Sequence, residues 1–130
     1  MMMQAIIANK SANGTQPYAV NGSAKKTALP TAVIGGGPIG LIAAAHLYER
    51  GEPFILFEAG ERIAASIWSW RHVRFFSPWR YSMDETAVSL LEANGWQQPV
   101  LDEMPTGQDL IEAYLQPLAC LLYTSDAADE

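Results

Sequence analysis

Cysteine is almost missing from this chain of 130 residues. Cys120 stands alone, so no internal disulfide can form, and a reducing, cytoplasmic setting is expected. Histidine is nearly as scarce: His46, His72 and one cysteine offer no metal-ligand spacing, so no metal site is expected. A basic n-region is absent from Met1-Met2-Met3-Gln4, which argues against a secretory signal. The nearly uncharged run from Ala32 to Tyr48 falls short of the roughly 20 residues a membrane span needs. Gly35-Gly36-Gly37-Pro38 would also break a lipid-exposed helix near its start. Excess positive charge is lacking too. Eight Lys and Arg against fourteen Asp and Glu leave a net charge of −6, which argues against a general nucleic-acid binder. The length suffices for one small domain, and is too short for the two or more domains of most redox enzymes.

A hydrophobic content of 49% with 17% charged residues fits a globular chain. Residues 1–29 contain no Asp or Glu and show neither the helical nor the strand period, so a flexible N-terminal extension is expected. Residues 30–119 carry the readable structure. Thr31-Ala32-Val33-Ile34 reads as a buried strand running into glycines. Ile39 to Arg50 reads as a helix with Ile39, Ile42, Ala43 and Leu47 on one face, ended by Gly51. Phe54-Ile55-Leu56-Phe57 reads as a second buried strand, closed by Glu58. Strand, glycine turn, helix and strand make a βαβ unit, whose strands should be parallel, and the fold class is α/β. Farther on, Asp84 to Asn94 reads as a helix capped by Asp84 and stopped by Gly95. Thr106-Gly107-Gln108-Asp109 resembles a capping box. It opens a helix with Leu110, Ile111, Tyr114, Leu115 and Leu118 inward, whose last turn Pro117 should weaken.

Gly35-Gly36-Gly37-Pro38-Ile39-Gly40 matches G-x-G-x-x-G between a strand and a helix. Gly35 permits the tight turn, Gly37 keeps the backbone open to a pyrophosphate, and Gly40 lets helix and strand pack closely. Glu58 follows Gly37 by 21 positions, against the roughly 20 expected for an acid that accepts hydrogen bonds from a ribose. A carboxylate there repels a 2′-phosphate, which favours FAD or NAD over NADP at this site.

The stretch from Ala32 through Gly40-Leu41 and Gly51 to Phe57-Glu58 resembles the amino-terminus of two-dinucleotide-domain flavoproteins, among them flavin-containing monooxygenases, Baeyer–Villiger monooxygenases and pyridine-nucleotide disulfide reductases. The resemblance implies a Rossmann-like FAD/NAD(P)-binding fold in which this first motif holds FAD. A second motif, later in a full-length protein, would take NAD(P)H. The segment Glu61-Arg62-Ile63-Ala64-Ala65-Ser66-Ile67-Trp68 is similar to the monooxygenase-like branch, with Ala64-Ala65 in place of the usual glycine pair. The cofactor-binding residues so implied are Gly35, Gly37, Pro38, Ile39, Gly40 and Glu58, with Arg62, Ser66 and Trp68 near the pyrophosphate or flavin. No catalytic residue is assigned. His72 reads as structural or as a contact to flavin or substrate.

Residues 62–83 mix four arginines with six aromatic residues and have no clear period. That suits an excursion around a flavin better than the third βα unit of an NAD dehydrogenase. Stacking on single-stranded nucleic acid is the other use of such a mixture, but the net charge and the lack of any module pattern stand against it. Cys120 to Glu130 resembles the translation of a transposon-based sequencing-library adapter, so residues 120–130 are expected to be non-native. Residues 30–119 would then be a partial FAD-binding domain, inactive alone, from an FAD-dependent oxidoreductase. The alternatives are a single-domain NAD-dependent oxidoreductase and a small non-catalytic nucleotide-binding module. Substrate and oligomeric state have no signature in the sequence.

Overall fold

The computed structural model describes residues 3–9 and 29–128. Its centre is the expected βαβ unit: β2 (Thr31–Ile34), α1 (Pro38–Glu49) and β3 (Phe54–Glu58). β2 and β3 pair in parallel, with Thr31 opposite Phe54 and Ile34 opposite Phe57. The fold class is therefore α/β.

The amino-terminal segment departs from expectation. Gln4–Asn9 is a strand, β1, paired antiparallel with β3, so the sheet order is β1-β3-β2. Residues 4–9 are thus not part of a flexible extension, and most of the remainder of residues 1–29 lies outside the described residues. The physical reason is burial. Ile7 sits opposite Leu56, and both are closed off from solvent. A β-bulge between Ala5 and Ile7 adjusts the register.

Val33, Phe54, Leu56 and Ile7 point to the helical side of the sheet. Ala32 and Ile34 point the other way and are exposed, Ile34 by 64%. The strands are apolar on both faces, as parallel strands usually are, yet among the described residues only one face is covered. Among the described residues β2 is also an edge strand on its outer side.

α1 turns a different face inward from the one expected. Leu41, Ala44 and Ala45 are buried, whereas Ile39 is 79% exposed and Ala43 is exposed. The helix has no charged residue before Glu49, so its apolar pattern does not single out a face. Contact with the sheet does. The helix ends as expected, with Gly51 at φ +73° and the Glu52 N–H donating to Leu47 O at 2.9 Å.

After β3 the chain leaves the sheet. α2 (Ala65–Trp68) and a 3₁₀ turn (Trp79–Tyr81) precede α3 (Glu85–Glu92). Asp84 caps α3 by accepting from the Ala87 N–H, and Gly95 follows at φ +92°. Thr106 and Asp109 form the reciprocal capping box of α4 (Gly107–Leu110). A π turn (Ile111–Leu115) and α5 (Gln116–Ala128) continue the same helix. Leu110, Ile111, Tyr114, Leu115 and Leu118 are all buried, as their spacing implies.

Pro117 does not end this helix. In a regular helix the N–H of residue 117 would reach Ala113 O, and proline has none. The indole N–H of Trp96 donates to that oxygen instead, at 2.7 Å. The helix then passes position 119 without a break, and Leu122 extends the inward stripe and is fully buried. The boundary expected at residue 119 is therefore not a boundary between elements.

Candidate dinucleotide-binding site

The glycine loop lies between the carboxyl end of β2 and the first turn of α1. The Gly35 N–H donates to Phe57 O at 2.7 Å, which fixes the loop to β3, and Gly35 has φ +105°. A side chain is strained in that conformation. Gly40 is demanded by a close approach: a Cβ there would lie 1.8 Å from Gly35 O. Gly37 is different. A Cβ at Gly37 would meet nothing within 4 Å, so the space it leaves faces open surroundings. Gly37 is also the N-cap of α1, Pro38 begins the helix, and no side chain caps it. The N–H groups of the first turn therefore have no side-chain acceptor, and they carry the positive end of the helix dipole. An anionic phosphate is the complementary ligand for such an end.

Glu58 reaches back across this loop. One carboxylate oxygen accepts from the Gly36 N–H at 2.6 Å and the other from the Gly60 N–H at 2.8 Å. Both contacts orient the carboxylate and leave further lone pairs on each oxygen. Hydroxyls of a ribose could use these without displacing the backbone donors.

The segment after Glu58 folds onto the loop. The Ala64 N–H donates to Gly36 O at 2.7 Å, and the Trp68 N–H donates to Ala64 O at 2.9 Å. Ala64 adopts φ +54°, the left-handed conformation, and is buried. For alanine that costs about 1–2 kcal/mol. A glycine would adopt it freely. Ala65 is close to Gly60, where a Cβ would lie 2.5 Å from that of Ala65.

Among the expected site residues, Gly35, Gly37, Pro38, Gly40 and Glu58 converge on this loop. Ile39 does so through its backbone, and its side chain is exposed. Arg62 stacks on Trp68, with its guanidinium carbon 4.2 Å from the ring centroid. Ser66 is exposed, and no described hydrogen bond involves its hydroxyl. His72 is exposed as well. His46 is remote in role: its Nε2 lies 2.9 Å from Asp84 Oδ2 and ties α1 to α3. Sequence reasoning missed Gly36 and Gly60, which act through backbone N–H groups that residue type does not reveal.

A cleft of about 270 Å³ beside Arg62 is lined by Glu61, Arg62, Ile63, Ile111 and Gln116. A roomier one, about 400 Å³, lies between Trp96 and Pro117, away from the glycine loop. The glycine loop itself is open, consistent with a ligand that lies along a surface. Among the described residues there is no cluster of His, Cys, Asp and Glu able to hold a metal, and no helix long and apolar enough to cross a membrane.

A family model described as an NAD(P)-binding Rossmann-like domain matches residues 33–94. The match takes in the glycine loop, α1, β3 and Glu58, and runs on through α3. Neither the comparison with curated proteins nor that with solved structures finds a match. With the parallel pairing and the glycine geometry, the match supports one conclusion: residues 33–94 have a Rossmann-like fold, similar to that of NAD(P)-binding domains.

Proposed function

We propose that this chain holds the ADP half of FAD and is the amino-terminal part of an FAD-dependent, monooxygenase-like oxidoreductase that takes electrons from NADH or NADPH. The observation that carries FAD over NAD is the path after β3. A single-domain NAD dehydrogenase continues into a third parallel strand beside β3. Here that edge of β3 is taken by the antiparallel β1, and residues 59–84 leave the sheet in α2 and a 3₁₀ turn.

The residues present fit the cofactor. The uncapped start of α1 and the open space at Gly37 suit the pyrophosphate, and Glu58 suits the ribose hydroxyls. When bound, the flavin supplies the redox chemistry, and the protein supplies placement and electrostatics. Glu58 also disfavours a 2′-phosphate by like-charge repulsion, so NADPH is a poor fit at this loop and would need a second site. Such an enzyme acts on a small molecule, needs neither nucleic acid nor a membrane, and works in the cytoplasm.

The test is the flavin content of the purified protein, read as absorbance near ~450 nm and identified after release by denaturation. In a complete protein, Glu58→Arg should sharply reduce bound FAD; undiminished content overturns the assignment. The family match, described as NAD(P)-binding, favours NAD as the second reading. A colourless protein that binds NADH and not FAD would establish it. Binding of ADP with no redox activity in the whole protein would point to a non-catalytic nucleotide-binding module.

A further inference from the structure

Glu58 is tied to the protein more firmly than a ribose acceptor needs to be. Its Oε1 accepts from the Gly36 N–H at 2.6 Å, and its Oε2 accepts from the Gly60 N–H at 2.8 Å. Gly36 is buried, so its N–H requires an acceptor, and the Glu58 carboxylate is that acceptor. The Gly36 carbonyl is held as well, by the Ala64 N–H at 2.7 Å, and the Gly35 N–H donates to Phe57 O. Three successive bonds therefore fasten the loop to β3 and the turn after it. The Glu58 side chain supplies the middle one.

Both backbone donors sit where a side chain would crowd the carboxylate. A Cβ at Gly36 would lie 3.2 Å from Glu58 Oε1. One at Gly60 would lie 3.1 Å from Oε2 and 2.5 Å from the Ala65 Cβ. Gly36 occupies an unspecified position of G-x-G-x-x-G, so the motif does not account for a glycine there. The carboxylate does.

Gly35, Gly36 and Gly37 are consecutive, and glycine has the most backbone freedom to lose. A loop ordered before its ligand arrives spares binding that loss, and fixing one residue is worth a factor of roughly ten in affinity. Charge works in the opposite sense, because a carboxylate beside a phosphate site repels the phosphate.

We infer that Glu58, Gly36 and Gly60 form a clamp that orders the glycine loop for a pyrophosphate, which makes Glu58 a positioning residue for the phosphates in addition to its ribose role. This rests on the dinucleotide reading above.

The test titrates inorganic pyrophosphate and ADP calorimetrically into the full chain and into its Glu58→Gln and Glu58→Asp variants. Glutamine removes the charge at nearly constant size, but its amide nitrogen sets a donor against one of the two N–H groups. Aspartate keeps the charge and is one methylene too short to span both. Each variant should bind pyrophosphate roughly tenfold more weakly, and ADP, which also loses its ribose acceptor, should fall further. The Gly36 amide proton should move upfield in NMR spectra as it loses the carboxylate. Equal or tighter pyrophosphate binding by Glu58→Gln, the result that charge alone gives, overturns the clamp; if ADP binding still falls, the dinucleotide reading stands. An unsubstituted chain that takes no pyrophosphate overturns the clamp too. Weaker pyrophosphate binding by both variants, with ADP held no tighter than pyrophosphate by the unsubstituted chain, keeps the clamp and removes the dinucleotide reading. Should circular dichroism show that the Glu58 variants are unfolded, Gly36→Ala decides instead. Gly36 has no positive φ, so the added methyl presses on Oε1 with the charge intact, and the same loss of pyrophosphate binding is expected.

Discussion

The βαβ half and the helical half of this chain treat their polar atoms in opposite ways. From Asp84 onward, several donors and acceptors are matched in defined pairs. Asp84 caps α3, Thr106 and Asp109 cap each other, Tyr114 Oη accepts from the Asp84 N–H at 2.9 Å, and Trp96 supplies the donor that Pro117 lacks. Around the glycine loop, α1 begins without a side-chain cap, and among the described residues Arg62 and Arg71 have no acidic partner and Ala32 and Ile34 lie exposed on one sheet face. Unmatched groups cost stability, so they are worth retaining where a ligand or further protein completes them. The helical half stabilises, and the βαβ half waits for a partner.

The largest expected effect is inside the loop. Gly40→Ala places a methyl 1.8 Å from Gly35 O, and should destabilise the chain by about 3 kcal/mol or more, read from urea unfolding. Next come the matched groups of the helical half. Tyr114→Phe leaves the Asp84 N–H without its acceptor, and Trp96→Phe leaves Ala113 O without its donor. Each should cost about 1–2 kcal/mol in the same measurement. If either is neutral, the claim that this half depends on its matched polar atoms fails.

A pH dependence follows from Tyr114. Burial pushes its phenol above the ordinary value, outweighing the opposing pull of the Asp84 N–H. Above the unfolded tyrosine pKa of about 10, the unfolded chain loses this proton while the folded one keeps it. Stability from this group is therefore full below pH 10 and falls as the pH rises beyond it. Tyr114→Phe should make the alkaline arm of the thermal-unfolding profile shallower.

The smallest effect on stability should accompany a large one on binding. Gly37→Ala meets no atom within 4 Å, and Gly37 has φ −88°, so unfolding should shift by no more than about 0.5 kcal/mol. ADP affinity should nonetheless fall at least roughly tenfold, since the added methyl stands where a phosphate approaches. Unchanged affinity would mean that the open space at Gly37 is not the phosphate position, and the contrast between the two halves would lose its functional meaning.

Much of this was legible in sequence because local rules agreed. The tight turn at Gly35, the close approach at Gly40, the Asp84 cap, the capping box and the inward stripe from Leu110 to Leu118 each have one physical explanation, and the structure shows it. The inner face of α1 was not legible, because a helix without charged residues before Glu49 gives periodicity nothing to contrast. Nor was β1, whose Ile6-Ile7 pair is too short a signal until Leu56 is there to cover it. Ala64 was read as a departure from a glycine pair, and its left-handed φ shows what the position demands.

Trp96 and Pro117 lie 21 positions apart, yet they act on a single oxygen, that of Ala113. Neither residue is a neutral choice once the other is present. A proline in this helix is tolerable because an indole stands beside it, and the indole has a bond to make because the proline cannot compete for it. Descendants of such a chain should therefore change these positions together or not at all. Replacing the proline first would set a new backbone donor against the tryptophan. Replacing the tryptophan first would leave a carbonyl stranded. The order of substitution is constrained at a site that touches no ligand, and family variation should record that constraint as paired change.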